Sequence, residues 1–111
     1  GDFDRPSPEQ DNRMDYEVEF SPESVEDLKS IVSYIAADNP TRAESFGNQL
    51  VDRALESRSM PRKGRVVPEF GNTNIRELIE GNYRIVYRIR DTDARIDILR
   101  VWHAAQGTPK I

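Results

Sequence analysis

The sequence predicts an α+β domain: an antiparallel β-sheet of about four strands with an N-terminal helical hairpin packed on one face, in the order β-α-α-β-β-β. Three observations predict it. Residues 75–103, IRELIEGNYRIVYRIRDTDARIDILRVWH, read as three consecutive strands joined by short loops. Residues 22–55 carry two apolar stripes at helical spacing, divided by Asp38, Asn39 and Pro40. An alternating segment, YEVEF at 16–20, stands before them. Strands joined by short loops must run antiparallel, and a helix pair buries its stripes by lying on a sheet face.

Residues 1–13 (GDFDRPSPEQDNR) are rich in proline and charge without periodicity, and read as a flexible tail. Met14, followed at once by a strand-like run, marks a natural start and gives the tail a cloning origin; a native extension is the alternative. The domain proper is then residues 14–111. In the first strand Tyr16, Val18 and Phe20 point inward. Ser21 offers an N-cap hydroxyl, Pro22 suits the first helical position, and Glu23 lies where the helix dipole favours an anion. The helix puts Val25, Leu28, Val32 and Ile35 on one stripe, with Ile31 beside it, and ends near Asp38. Pro40 opens a second helix whose inward residues are Ala43, Phe46, Leu50 and Ala54. Gly47 costs that helix on the order of 1 kcal/mol relative to alanine, which a close helix–helix approach offsets.

Residues 57–71 contain Pro61, Gly64, Pro68 and Gly71 and read mostly as loop, with a short extended segment at 65–67. Strands follow at 73–80, 83–90 and 95–102, joined by a turn at Gly81 and Asn82 and by a hairpin loop at 91–94. In the middle strand Tyr83, Ile85, Tyr87 and Ile89 alternate with Arg84, Val86, Arg88 and Arg90. One face therefore belongs to the core, and the arginine face is left for an anionic partner.

A chain of 111 residues has room for one core. It has no cysteine and a single histidine, His103, so no disulfide, metal or cofactor is expected. No apolar run approaches the roughly 20 residues of a membrane span, and no signal-peptide pattern is present. A cytoplasmic protein without membrane partners is the expectation. The net charge of −4 hides a split: residues 14–60 sum to −6 and residues 61–111 to +4. The halves predict a dipolar surface with its basic side built from the C-terminal half.

The ordered set PRKGRVVPE, IREL, YRIVYRI and ILRVWHAAQ resembles the RelE/ParE family of toxins from type II toxin–antitoxin pairs, over roughly residues 15–106. The resemblance implies a cognate antitoxin as partner and one of two activities. RelE-, YoeB- and HigB-like members are endoribonucleases that cut mRNA, usually on the ribosome. ParE-like members inhibit DNA gyrase without catalysis. A degenerate toxin that only binds its antitoxin is a third reading.

Metal-free RNA cleavage needs a base for the 2′-hydroxyl, positive charge on the phosphorane and an acid for the leaving oxygen. Arg84 matches the phosphate-holding arginine of the ribonuclease pattern, and His103 its histidine, able to act as acid or base near neutral pH. Arg76 falls near a basic position of RelE-like members, so Arg84, His103 and Arg76 form the implied catalytic set, with Glu69 a possible general base. Arg62, Lys63, Arg65 and Arg88 are candidates for RNA contact. Each has a plainer reading. Arg84 and Arg88 can belong to a solvated face paired with Glu77 or Asp97, His103 can simply cap a strand end, and Trp102 can be core rather than a base-stacking platform. The chain also departs from the ribonucleases after His103, where Ala104, Ala105 and Gln106 replace a basic residue and a tyrosine. On balance the sequence favours mRNA cleavage narrowly over gyrase inhibition.

Overall fold

The computed structural model describes residues 15–111, so the expected tail at 1–13 lies outside the described residues. Strand β1 (Glu17–Phe20) leads through Ser21 into helix α1 (Pro22–Ala36), and Asn39 precedes helix α2 (Pro40–Leu55). Strands β2 (Arg65–Val66), β3 (Ile75–Glu80), β4 (Tyr83–Arg90) and β5 (Arg95–His103) follow. The α+β class is as expected, but the sheet has five strands, in the order β1-β5-β4-β3-β2. The added strand is β2, two residues that pair antiparallel with Glu77 and Arg76 of β3. So short a segment shows no alternation of its own; only its distant partner makes it a strand. β1 runs parallel to β5, the crossover between them being the rest of the fold.

The helix starts follow from their caps. Ser21 Oγ accepts the Ser24 amide at 3.0 Å and donates to the Leu99 carbonyl at 2.9 Å, so one serine caps α1 and ties it to β5. The Asn39 side chain accepts the Arg42 amide at 3.0 Å, with Pro40 at the first turn. Both helices lie on one sheet face. Ile31, Leu50 and Ala54 meet Leu78, Ile85, Tyr87, Ile89, Ile96, Ile98 and Val101, and Tyr16, Val18 and Phe20 pack at the margin. Val25 departs from the expected stripe: it is 36% exposed, and Ser24 and Ile31 take the buried positions of α1. A Cβ on Gly47 would stand 2.9 Å from Val32 Cγ2, which is the close helix approach that the glycine permits.

A β-bulge sets the faces of β5. Val86 pairs with Arg100 and Tyr87 with Ile98, leaving Leu99 as the extra residue. Ile98 and Val101 thus both face the helices, while Leu99 turns to the opposite face and joins Val67, Ile75, Val86 and Phe70 in a second apolar cluster. No helix among the described residues is long and apolar enough to cross a membrane.

Gly64 lies under the start of β2, where its amide donates to Tyr87 Oη at 3.1 Å and the Tyr87 hydroxyl donates to the Pro61 carbonyl at 2.6 Å. A Cβ there would stand 2.5 Å from Tyr87 Oη and 2.6 Å from the Glu77 carbonyl. Gly64→Ala is therefore expected to lower stability by about 1–3 kcal/mol. A urea denaturation midpoint equal to wild type would show that the loop simply retreats.

Candidate functional site

The face turned away from the helices is built by the alternation of β3 and β4. Hairpin register sets Glu77 opposite Val86, so Arg84 and Arg88 flank it diagonally, and β2 sets Arg65 opposite Glu77. Arg84 Nε donates to one Glu77 oxygen at 2.6 Å and Arg65 Nε to the other at 2.6 Å. The two terminal nitrogens of Arg84 form a fork on Glu69, each at 2.8 Å, and Nη1 also reaches the Gly107 carbonyl at 3.3 Å. The result is a chain, Arg65–Glu77–Arg84–Glu69, in which Glu77 is 1% and Arg84 7% exposed. Charge-assisted and bidentate bonds of this kind are the strong ones, and here they offset the desolvation of buried charge. The fork from Arg84, helped by a backbone amide, holds the Glu69 carboxyl down at about 2, and Glu69 in turn raises Arg84 further above its already high value.

Arg84 is thus not the free guanidinium of an open face; it is enclosed by two carboxylates, the first of which, Glu77, the sequence offered as a partner. His103 lies elsewhere. Arg84 pairs in register with Trp102 and His103 with Tyr83, so the two side chains leave the sheet on opposite faces. His103 meets the Tyr83 ring edge-on, centroids 5.0 Å apart, and borders a cavity of about 450 Å3 beside Asp27 and Tyr34 of α1. Its Nδ1 accepts the Ala105 amide at 3.0 Å, which leaves Nε2 to carry the proton of the neutral ring. Arg76 shares the helix-side parity of Tyr87 and clamps the loop before β2, donating to the carbonyls of Thr73 at 2.9 Å, Arg62 at 3.3 Å and Gly64 at 3.1 Å. Arg84, His103 and Arg76 are not brought together.

The cations expected to contact RNA are mostly matched to acids. Arg62 meets Asp91 at 2.6 Å, Lys63 meets Glu56 at 2.9 Å, and Arg65 holds Glu77. Arg88 is the exception. Trp102 is 9% exposed, donates Nε1–H to the Gly107 carbonyl at 3.2 Å and carries the Arg100 guanidinium 4.8 Å above its ring, so its faces are not open to a base. Sequence reasoning missed Asp27, whose carboxylate accepts two Arg100 nitrogens and the Val101 amide at 2.8–2.9 Å and so bolts α1 to β5. It also gave Glu77 too little weight. The Gly81–Asn82 turn fixes the hairpin register, which alone places Glu77 between Arg84 and Arg88. Among the described residues no group of three or more potential metal ligands comes together.

Residues 18–107 match the family described as ParE toxin of type II toxin-antitoxin system, parDE. No curated protein matches the chain. Among solved structures, the chromosomal ParDE system of P. aeruginosa is similar with a TM-score of 0.67 at 17% identity, covering 82% of this chain and 97% of that one. The RelBE2 toxin–antitoxin complex of Mycobacterium tuberculosis gives 0.60 at 26% identity, covering 81% and 92%. A mutant E. coli RelE toxin in the free state gives 0.53 at 19% identity, covering 85% and 88%.

Removing the guanidinium from the ion chain leaves Glu77 buried with one cation. Arg84→Ala is expected to cost about 3–5 kcal/mol of stability, read by urea denaturation; a loss near that of an exposed ion pair would contradict the chain. The acid limb should report Glu69. Its carboxyl is depressed from 4.5 to about 2, so its pairing stabilises fully above pH 4.5 and is lost as pH falls towards 2. Glu69→Gln is expected to flatten the thermal-midpoint profile across that window, and an unchanged profile would show that the pair contributes nothing.

Proposed function

The chain belongs to the ParE toxin family of type II toxin–antitoxin systems, and on that premise we propose that it acts without catalysis, by binding and inhibiting DNA gyrase. The observation that carries the reading is the enclosure of Arg84 between Glu77 and Glu69. A ribonuclease of this pattern needs that guanidinium on the scissile phosphate and the histidine beside it. Here the guanidinium would have to leave two carboxylates, one of them fully buried, and His103 stands on the other sheet face. Phosphate affinity also comes from several free cations releasing counterions, and Arg62, Lys63 and Arg65 are each held by an acid. These placements favour the non-catalytic branch over the mRNA cleavage that the sequence narrowly prefers.

A cognate antitoxin is the protein partner that family membership supplies; the RelBE2 neighbour at 26% identity is itself a toxin–antitoxin complex. In this reading His103 contributes to protein binding or local structure, through the cavity it shares with Tyr83 and Tyr34.

Two assays run side by side test the proposal. Purified chain should inhibit DNA supercoiling by purified gyrase, with His103→Ala retaining the inhibition, and should leave mRNA intact on translating ribosomes. Unimpaired supercoiling overturns the gyrase reading. Site-specific mRNA cleavage abolished by His103→Ala would replace it with the ribonuclease one.

A further inference from the structure

The strand arginines of the open face follow a rule that Arg88 breaks. Arg84 is held by Glu77 and Glu69, Arg90 by Asp97, Arg95 by Asp97 and Glu19, and Arg100 by Asp27. Arg76, on the helix-side parity, donates through Nε and Nη1 to backbone carbonyls. Arg88, half-buried on the central strand, donates to no acceptor among the described residues.

Its isolation has a structural cause. In register Arg88 lies between Ile75 on β3 and Asp97 on β5. Asp97 is within sight, yet Arg90 engages its Oδ2 and Arg95 its Oδ1. The diagonal acid, Glu77, has both oxygens taken by Arg65 and Arg84. The neighbouring acids are thus committed to other cations. The guanidinium opens instead on a cleft of about 240 Å3 that Pro22 and Leu99 also line. Next to it lies the second apolar cluster, in which Phe70 and Leu99 remain only partly covered.

We propose that this cleft is where the antitoxin's toxin-binding segment places a carboxylate, the side chain of an aspartate or glutamate, on Arg88, with flanking apolar residues on the Phe70–Leu99 shelf. The proposal rests on the antitoxin partnership stated above and names the chemistry of its contact. A guanidinium fixed on a central strand presents a planar fork that matches a carboxylate, and desolvation by the apolar surround strengthens the pair. A nucleic-acid backbone fits less well. It gains affinity from several free cations in a row, whereas of the three arginines that line this cleft Arg90 and Arg95 are already paired with acids and Arg88 alone is free. A segment laid across a sheet face, with one charged anchor among apolar contacts, is an ordinary mode of peptide recognition.

The test is calorimetric titration of the purified chain with its purified cognate antitoxin, at low and at high salt. Arg88→Gln should weaken binding by at least about tenfold and reduce the salt dependence, with an unchanged thermal midpoint for the free chain. Arg88→Lys, which keeps the charge and loses the fork, should fall between the two. Arg58→Gln, an exposed arginine outside the cleft, should bind like wild type. Wild-type affinity in Arg88→Gln overturns the site. Failure of the wild-type chain to bind the antitoxin overturns the partnership itself, a separate outcome. A single-stranded RNA bound by wild type and lost in Arg88→Gln, with antitoxin binding intact, would reassign the cleft to phosphate and overturn the carboxylate proposal.

Discussion

Glu77 is a carboxylate almost without solvent exposure, placed beneath the middle of the open sheet face. Holding such a group charged in a protein interior costs several kcal/mol unless cations and hydrogen bonds surround it. Arg65 from β2 and Arg84 from β4 supply them, one on each oxygen. Much of the surrounding architecture is fixed by that arrangement. β2 is too short to persist on its ladder bonds, and Arg65 anchors it to the sheet. Arg84 must lie along the face to reach Glu77, which brings its terminal nitrogens to Glu69 in the loop before β3 and to the Gly107 carbonyl after β5. One buried acid therefore organises an edge strand, a loop and the chain beyond the last strand.

The same pairing logic also joins the two halves of the chain. Residues 61–111 carry a net +4 and residues 14–60 a net −6. In the fold these halves neutralise one another at close range: Arg100 with Asp27, Lys63 with Glu56, Arg95 with Glu19 and Arg53 with Glu80. Part of the charge split that predicted a dipolar surface is thus an internal complementarity between the helical hairpin, with β1, and the strands that follow. Exposed pairs such as Lys63–Glu56 contribute little to stability.

The local features of the fold were legible in the sequence. Ser21 and Pro22, Asn39 and Pro40 mark helix starts by side-chain chemistry that acts within a few residues, and the inward set Ala43, Phe46, Leu50 and Ala54 follows from helical period. The Gly81–Asn82 turn fixes the β3–β4 register for the same reason. What depended on distant partners was not legible. β2 becomes a strand only against β3, and β1 joins β5 across most of the chain. The bulge at Leu99 inverts the alternation of β5 midway, so counting residues from Arg95 assigns Arg100, Val101 and Trp102 to the wrong faces. Val25 falls outside the buried stripe because the polar Ser24, whose hydroxyl donates to the Ser21 carbonyl, takes the buried place. The separation of the candidate site residues has a related cause. Arg84 and His103 have the identities of a ribonuclease pair, but adjacent cross-strand partners, Trp102 and Tyr83, place them on opposite faces.

The role of the open face turns on how firmly Glu77 and Glu69 hold the Arg84 guanidinium. Nitrogen-15 NMR of the arginine side chains tests it directly, since Nε–H and Nη–H protons of a held guanidinium exchange slowly with water and its terminal nitrogens rotate slowly. A guanidinium held by both carboxylates should give distinct, slowly exchanging Nε and Nη signals for Arg84 at neutral pH, unmoved by added inorganic phosphate or by a single-stranded RNA. A single averaged signal that exchanges rapidly and shifts on phosphate addition would contradict it.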